Sequence, residues 1–226
     1  MLDLLFPLRC PGCGAPAEPI CDGCAGSLRR PPQCPPPPGV DRWFAAFAYE
    51  GVAAELIARV KYRSTRAVVP WLADAILEVR GTDVAEPDVV TWTPTSRARL
   101  RELGVDHAAL LARAVAKRLR RPARPLLRRS GGPVQTGAPR AIRAQVEFTA
   151  RPTAARVLVV DDVTTTGATL AAAARALRAT GAREVEAVTA ARTPTRRSTN
   201  LASPGARIEE PRNVGIRSSA GELPPI

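Results

Sequence analysis

The chain is poor in aromatic side chains, which make up 4% of it, and it has one histidine and one methionine. Of its 33 basic residues only Lys61 and Lys117 are lysines. No run of 18 or more apolar residues occurs, so no transmembrane helix and no membrane insertion are expected. The opening residues, Met1-Leu2-Asp3-Leu4-Leu5-Phe6-Pro7, lack the basic start and long apolar core of a secretory signal, which points to a cytoplasmic protein. No internal repeat is present. The net charge of +12 is carried almost entirely by arginine, spread along the chain beside abundant alanine and proline. It is either a solvated arginine-rich surface or an attraction for phosphate, in a nucleotide or in nucleic acid. Few aromatics means few stacking platforms for a single strand.

What is there is enough for one ordinary domain with a small appendage, at 226 residues and 45% hydrophobic content. Four of the five cysteines form two C-x-x-C pairs, Cys10/Cys13 and Cys21/Cys24. With no export signal ahead of them, that spacing favours a metal over disulfides. Four thiolates can surround a zinc ion tetrahedrally, and glycines in the knuckles let the chain turn around it; four reduced, unliganded thiols are the alternative. With all four positions filled by protein, such a zinc is structural, and so small a module needs it to fold. We therefore divide the chain into a zinc-binding knuckle (1–30), a proline-rich linker (31–42), an α/β domain (43–192) and a tail rich in serine, proline and charge that reads as disordered (193–226).

The hydrophobic periodicity predicts strands over Trp43–Tyr49, Asp88–Trp92, Pro125–Leu127, Arg156–Val160 and Glu184–Ala190. Helices are predicted over Val52–Tyr62, Pro70–Arg80, Asp106–Leu119 and Leu170–Thr180, with Asp106 as a cap and Gly181 as a stop signal. Gly131–Ala150 reads as a long loop. Strands alternating with helices imply an α/β fold with a mainly parallel twisted sheet flanked by helices.

One segment carries chemistry. Val157-Leu158-Val159-Val160 is a buried strand; Asp161 and Asp162 stand at its carboxyl end, where open α/β sheets bind ligands. Val163-Thr164-Thr165-Thr166-Gly167-Ala168-Thr169 then leads directly into a helix. Successive backbone N–H groups there can converge on an anion, assisted by the helix N-terminus. Carboxylates beside a phosphate cradle would repel the anion unless they accept hydrogen bonds from a neighbouring diol, so the ligand suggested is a ribose 5-phosphate unit. The alternative is an ordinary strand–turn–helix in which the acids only cap the helix.

This string resembles the 5-phosphoribosyl-1-pyrophosphate (PRPP) motif of type I phosphoribosyltransferases. The resemblance implies that Asp161 and Asp162 hold the ribose hydroxyls, and that Thr165, Thr166, Gly167, Ala168 and Thr169 hold the 5-phosphate. Over about residues 1–192 the chain is similar to the ComF family of competence-associated phosphoribosyltransferase-like proteins. The shared order is zinc knuckle, Ala48-Tyr49-Glu50-Gly51, Lys61-Tyr62-Arg63, Val89–Pro94, Gly104–Leu111, Gln135-Thr136-Gly137, then the PRPP string. By that likeness Val90-Thr91-Trp92-Thr93-Pro94 is the pyrophosphate loop with Thr93 as contact, unless Trp92 and Pro94 only fill the core and end the strand. Gln135-Thr136-Gly137, Arg140 and Arg143 resemble a closing flap. Relatives often show a third C-x-x-C pair; its loss leaves Cys34 outside the ligand set. Leu103-Gly104-Val105-Asp106 departs from the family's Arg-Gly-Phe string.

Arg97, Arg99 and Arg101 could neutralise pyrophosphate or lie in a solvated loop. His107 is a candidate general base, or a surface or packing residue. Two functions follow. One is transfer of a phosphoribosyl group to a nitrogen acceptor with release of pyrophosphate, assisted by Mg2+ bound mainly to PRPP oxygens. The other is a non-enzymatic PRPP sensor or single-stranded-DNA-handling protein, for which the family resemblance implies a part in DNA uptake during natural transformation beside a competence helicase.

Overall fold

The run Val157–Val160 is almost fully buried, as an apolar strand is when helices cover both faces of its sheet. The computed structural model describes residues 9–17, 19–60, 68–130 and 146–194. The flap string, Lys61-Tyr62-Arg63 and nearly all of the tail fall outside these.

In chain order the elements are α1 (Asp22–Ser27), β1 (Arg42–Ala48), α2 (Gly51–Val60), α3 (Val68–Arg80), β2 (Val89–Trp92), α4 (Arg97–Leu103), α5 (His107–Leu119), β3 (Leu127–Arg129), β4 (Phe148–Ala150), β5 (Arg156–Thr164), α6 (Ala168–Ala179) and β6 (Glu184–Arg192). Four strands make a wholly parallel sheet in the order β1-β6-β5-β2, while β3 and β4 pair antiparallel. Alternation along β5 sends Leu158 and Val160 toward α3 and α5, and Val157 and Val159 toward α6. The mainly parallel, helix-flanked sheet agrees with the expectation from periodicity.

Three expectations are corrected. The strand that begins at Arg156 continues past Val160 to Thr164, because β6 runs to Arg192 and supplies partners for Asp161, Val163 and Thr164. The segment of Arg97, Arg99 and Arg101 is a helix, capped by Ser96 Oγ and closed by left-handed Gly104, rather than a loop. Within the long loop, Phe148–Ala150 is strand, paired with Leu127–Arg129.

At the amino end of the sheet Arg80 meets Glu186 in a buried bidentate pair, with Nε–Oε1 at 2.7 Å and Nη2–Oε2 at 3.1 Å. Arg80 Nη2 also donates to the Ala85 carbonyl at 2.8 Å. Removing one member strands the other charge in the core, so Arg80→Met is expected to cost about 3–5 kcal/mol in urea unfolding, and adding Glu186→Leu should recover most of it.

The cysteine knuckles dock on the same core. Cys10, Ile20, Cys24 and Leu28 belong to the buried cluster that holds Leu56 and Ile57 of α2. Gly12 lies so close that a Cβ there would stand 2.7 Å from Cys24 Sγ and 3.1 Å from Val52 Cγ1. Residues 31–42 do not hang clear of the domain: Pro37 and Val40 are buried. Among the described residues no helix is long and apolar enough to cross a membrane.

Candidate functional site

Adjacent β2 and β5 send their connections to opposite faces of the sheet, β2 to α5 on one side and β5 to α6 on the other. A crevice opens at the carboxyl ends of two strands that part in this way. Pairing between them ends at Trp92 and Val160, with the Thr93 N–H donating to the Val160 carbonyl at 3.2 Å. Beyond that point lies a cleft of about 180 Å³, lined by Thr93, Pro94, Thr95, Arg99, Leu103, Asp106, His107, Ala108, Arg129, Asp161, Asp162, Val163 and Thr169.

Both acids that the sequence singles out are in this cleft. Asp161 is buried, at 7% exposure, and Asp162 is half-buried. The Asp162 N–H donates to Asp161 Oδ1 at 2.9 Å, and the Val163 N–H to Asp162 Oδ1 at 2.8 Å. Burial, and next the charge of Asp162, push the Asp161 carboxyl well above the usual carboxylate range; the Thr93 hydroxyl and the Asp162 N–H, which donate to it, pull the other way. A pair of acids so placed can accept hydrogen bonds from a diol that enters the cleft.

The turn after β5 divides. Thr169 lines the cleft, whereas Thr165, Thr166 and Ala168 are exposed beyond it and Gly167 is buried. Gly167 has φ +79° and is the N-cap of α6, so no side chain caps from that position. The Ala168 N–H makes only a long contact, 3.4 Å, to Thr166 Oγ1. The first turn of this twelve-residue helix thus starts next to the acids with no side-chain cap, an arrangement that suits an anion.

The segment expected to hold pyrophosphate is tied to the protein around it. Of its amides, that of Thr93 is engaged by Val160 and that of Thr95 donates to Asp106 Oδ2 at 3.3 Å; Pro94 has none. Thr93 contributes its hydroxyl, to Asp161. Asp106 also caps α5, its Oδ1 accepting the Ala109 N–H at 3.2 Å. One side chain thus fixes both loop and helix. Asp106→Ala is expected to cost about 1–2 kcal/mol by urea titration, with Asp106→Asn recovering most of it.

Of the three nearby arginines Arg99 lines the cleft, while Arg101 Nε turns back to the Arg97 carbonyl at 3.4 Å. His107 is buried and stands in the cleft wall, so it is not a surface residue. Arg129 is a lining residue that sequence reasoning missed. It arrives because the β3–β4 hairpin hangs on β2, through the Arg124 N–H to the Val90 carbonyl at 2.9 Å and the Leu126 N–H to Thr91 Oγ1 at 3.2 Å. Nothing local in Leu127-Arg128-Arg129 announces that contact.

In the amino-terminal knuckle the sulfurs of Cys10, Cys13, Cys21 and Cys24 lie within 4.8 Å of one another. Tetrahedral zinc with bonds of ~2.3 Å requires sulfurs about 3.8 Å apart, so the set fits a metal with little adjustment. Burial would raise the Cys10 thiol, but backbone N–H groups of Cys21, Cys13 and Gly12 directed at its sulfur bring it down to about 6. Cys34 is not part of this cluster; its sulfur touches the Arg192 guanidinium.

Residues 106–205 match the family described as phosphoribosyl transferase domain, a span that includes both acids and the turn. Solved structures similar to the chain include glutamine PRPP amidotransferase from B. subtilis (22% identity, 60% of this chain and 26% of that one, TM-score 0.37). Others are orotate phosphoribosyltransferase from Aeropyrum pernix (28%, 60% and 62%, 0.34) and purine phosphoribosyltransferase from Pyrococcus horikoshii Ot3 (19%, 57% and 83%, 0.33). The chain spans about a quarter of the amidotransferase's length, 26%. No curated protein sequence matches it. The family match and the parallel sheet with helices on both faces agree with the phosphoribosyltransferase-like fold read from the sequence, and the cysteine cluster able to hold a metal agrees with the appended module.

Proposed function

We propose that the cleft binds PRPP and that the chain transfers its phosphoribosyl group to a nitrogen acceptor, releasing pyrophosphate. The observation that carries this reading is the placement of two acids beside an uncapped helix start, at the crevice where β2 and β5 part. Asp161 and Asp162 take the ribose 2′- and 3′-hydroxyls. The amides and hydroxyls of Thr165, Thr166, Gly167, Ala168 and Thr169 take the 5-phosphate. Arg99 and Arg129, with the Thr93 hydroxyl behind Asp161, face the pyrophosphate side. Mg2+ would enter with the PRPP oxygens and water and neutralise the departing anion. The residues themselves orient the sugar and place fixed donors where charge develops. We read the cysteine cluster as a structural zinc site, and the chain as a relative of the ComF proteins.

The test is release of pyrophosphate from PRPP and Mg2+ across a panel of nucleobases and amines. Turnover with any acceptor supports transfer; PRPP binding with no turnover anywhere would reduce the reading to a sensor. One observation favours a second reading, a non-enzymatic protein that senses PRPP or handles single-stranded DNA. Residues 107–146 contain no acidic side chain; within them Arg120, Arg121, Arg124 and Arg128 are exposed and form no ion pair among the described residues. Salt-dependent affinity for a single strand would support that reading, and its absence at low salt would remove it.

A further inference from the structure

The residues before β1 form a strap along α6. At one end Pro37 packs on Gly167: a Cβ built there would stand 2.7 Å from Pro37 Cγ and 3.1 Å from Pro37 Cβ. Midway, a Cβ on Gly39 would lie 3.3 Å from the Ala174 Cβ. At the far end Asp41 pairs with Arg178, accepts the Val185 N–H at 2.8 Å and donates its own N–H to the Val185 carbonyl at 2.8 Å. Upstream, the Cys34 sulfur meets the buried Arg192 guanidinium, which lies 5.2 Å from the centroid of the Trp43 ring. The strap is therefore pinned on both sides of Pro37.

Pinning matters because of what Pro37 touches. Gly167 sits in the left-handed region at φ +79° with exposed threonines before it. Glycine has the widest conformational freedom of any residue, and a ligand that must order it loses affinity to that entropy. On either side of the turn the Thr193 N–H donates to the Thr164 carbonyl at 2.9 Å and the Ala171 N–H to the Gly167 carbonyl at 2.9 Å, but between them, among the described residues, there is only the long Ala168 to Thr166 contact at 3.4 Å. A proline ring, itself fixed in φ, fills the space that a side chain at 167 would occupy.

We propose that Pro37 is a positioning residue for the site: held by the strap, it keeps the turn Thr165–Gly167 in its anion-receiving shape before ligand arrives. The ligand in this proposal is the terminal phosphate of PRPP, so it rests on the function proposed above. The contact between strap and turn does not.

Two measurements on the full chain separate these. Hydrogen exchange of the ligand-free protein reads the turn directly. Pro37→Ala, which keeps Cβ and removes the rest of the ring, should speed exchange at residues 165–169 about tenfold while leaving the amides of β6 unchanged, and Pro37→Val should restore most of the protection. Calorimetric titration with PRPP and Mg2+ should then show affinity about tenfold weaker in Pro37→Ala and mostly recovered in Pro37→Val. Unchanged exchange in Pro37→Ala overturns the proposal, as does equal PRPP affinity in all three proteins. If exchange rises as expected but the wild type binds no PRPP, the ligand reading fails and the strap's grip on the turn stands.

Discussion

Asp161→Asn is expected to raise the melting temperature of the ligand-free protein while weakening its hold on PRPP. The carboxyl is buried and faces the charge of Asp162, so its ionised form is disfavoured in the folded state. An amide keeps a carbonyl oxygen for the Thr93 hydroxyl and the Asp162 N–H and removes the charge. A gain of about 1 kcal/mol would appear as roughly 2–4 °C in a chain of this size. The same change removes a charged acceptor for a sugar hydroxyl. Together with Asp162→Asn it should lower PRPP affinity at least ~100-fold, since two charged hydrogen bonds at roughly 1.5–3 kcal/mol each amount to about 3 kcal/mol or more. Stability and binding moving in opposite directions is what a functional acid produces; an acid kept only as a helix cap would lose stability when replaced.

The sign of the pH dependence follows. A carboxyl with a raised folded-state value binds its proton more tightly folded than unfolded. Its favourable contribution is fully present below the unfolded value of about 3.9 and is lost as pH rises through the folded value. The melting-temperature advantage of Asp161→Asn over wild type should therefore be smallest near pH ~4 and grow toward neutrality. Thermal scans from acid to neutral pH check this, and a gap that shrinks toward neutrality would contradict it.

The second large effect concerns the cysteine cluster. Cys10 and Cys24 are buried in the same cluster as Leu56 and Ile57, so a metal there ties the knuckles to the main core. We expect purified protein to hold one zinc per chain and chelation to lower the melting temperature by roughly 10 °C, given the large share of folding free energy that structural zinc supplies in small modules. Titration with a thiol reagent should find Cys34 reactive in the native protein and all five cysteines reactive after chelation. Cys24→Ser should lose the metal, while the circular dichroism of the sheet survives. Five equally reactive thiols before and after chelation would show that the cluster holds nothing.

What could be read from the chain divides by the range of the forces involved. The apolar part of β5 was legible because burial on two faces demands an unbroken β-branched run, and α5 because Asp106 and an apolar stripe mark it. The continuation of β5 through Asp161 and Asp162 was not. Two acids interrupt the apolar pattern, and the strand persists only because β6 reaches far enough to pair with it. Helix α4 buries no side chain and so has no stripe to detect; its signals were Ser96 and Gly104 at either end. Arg129 and Pro37 reach the site through contacts distant in sequence, the first through a hairpin hung on β2 and the second along α6. Residue type alone places neither. The two acids and the turn can be singled out for the opposite reason, since their chemistry and their spacing lie within one short string.

The most direct measurement is a co-crystal structure of the protein with PRPP. It should show the 5-phosphate within hydrogen-bond distance of the amides of residues 166–169 and both ribose hydroxyls on Asp161 and Asp162. A sugar bound elsewhere, or a phosphate held on arginines away from the start of α6, would contradict the account.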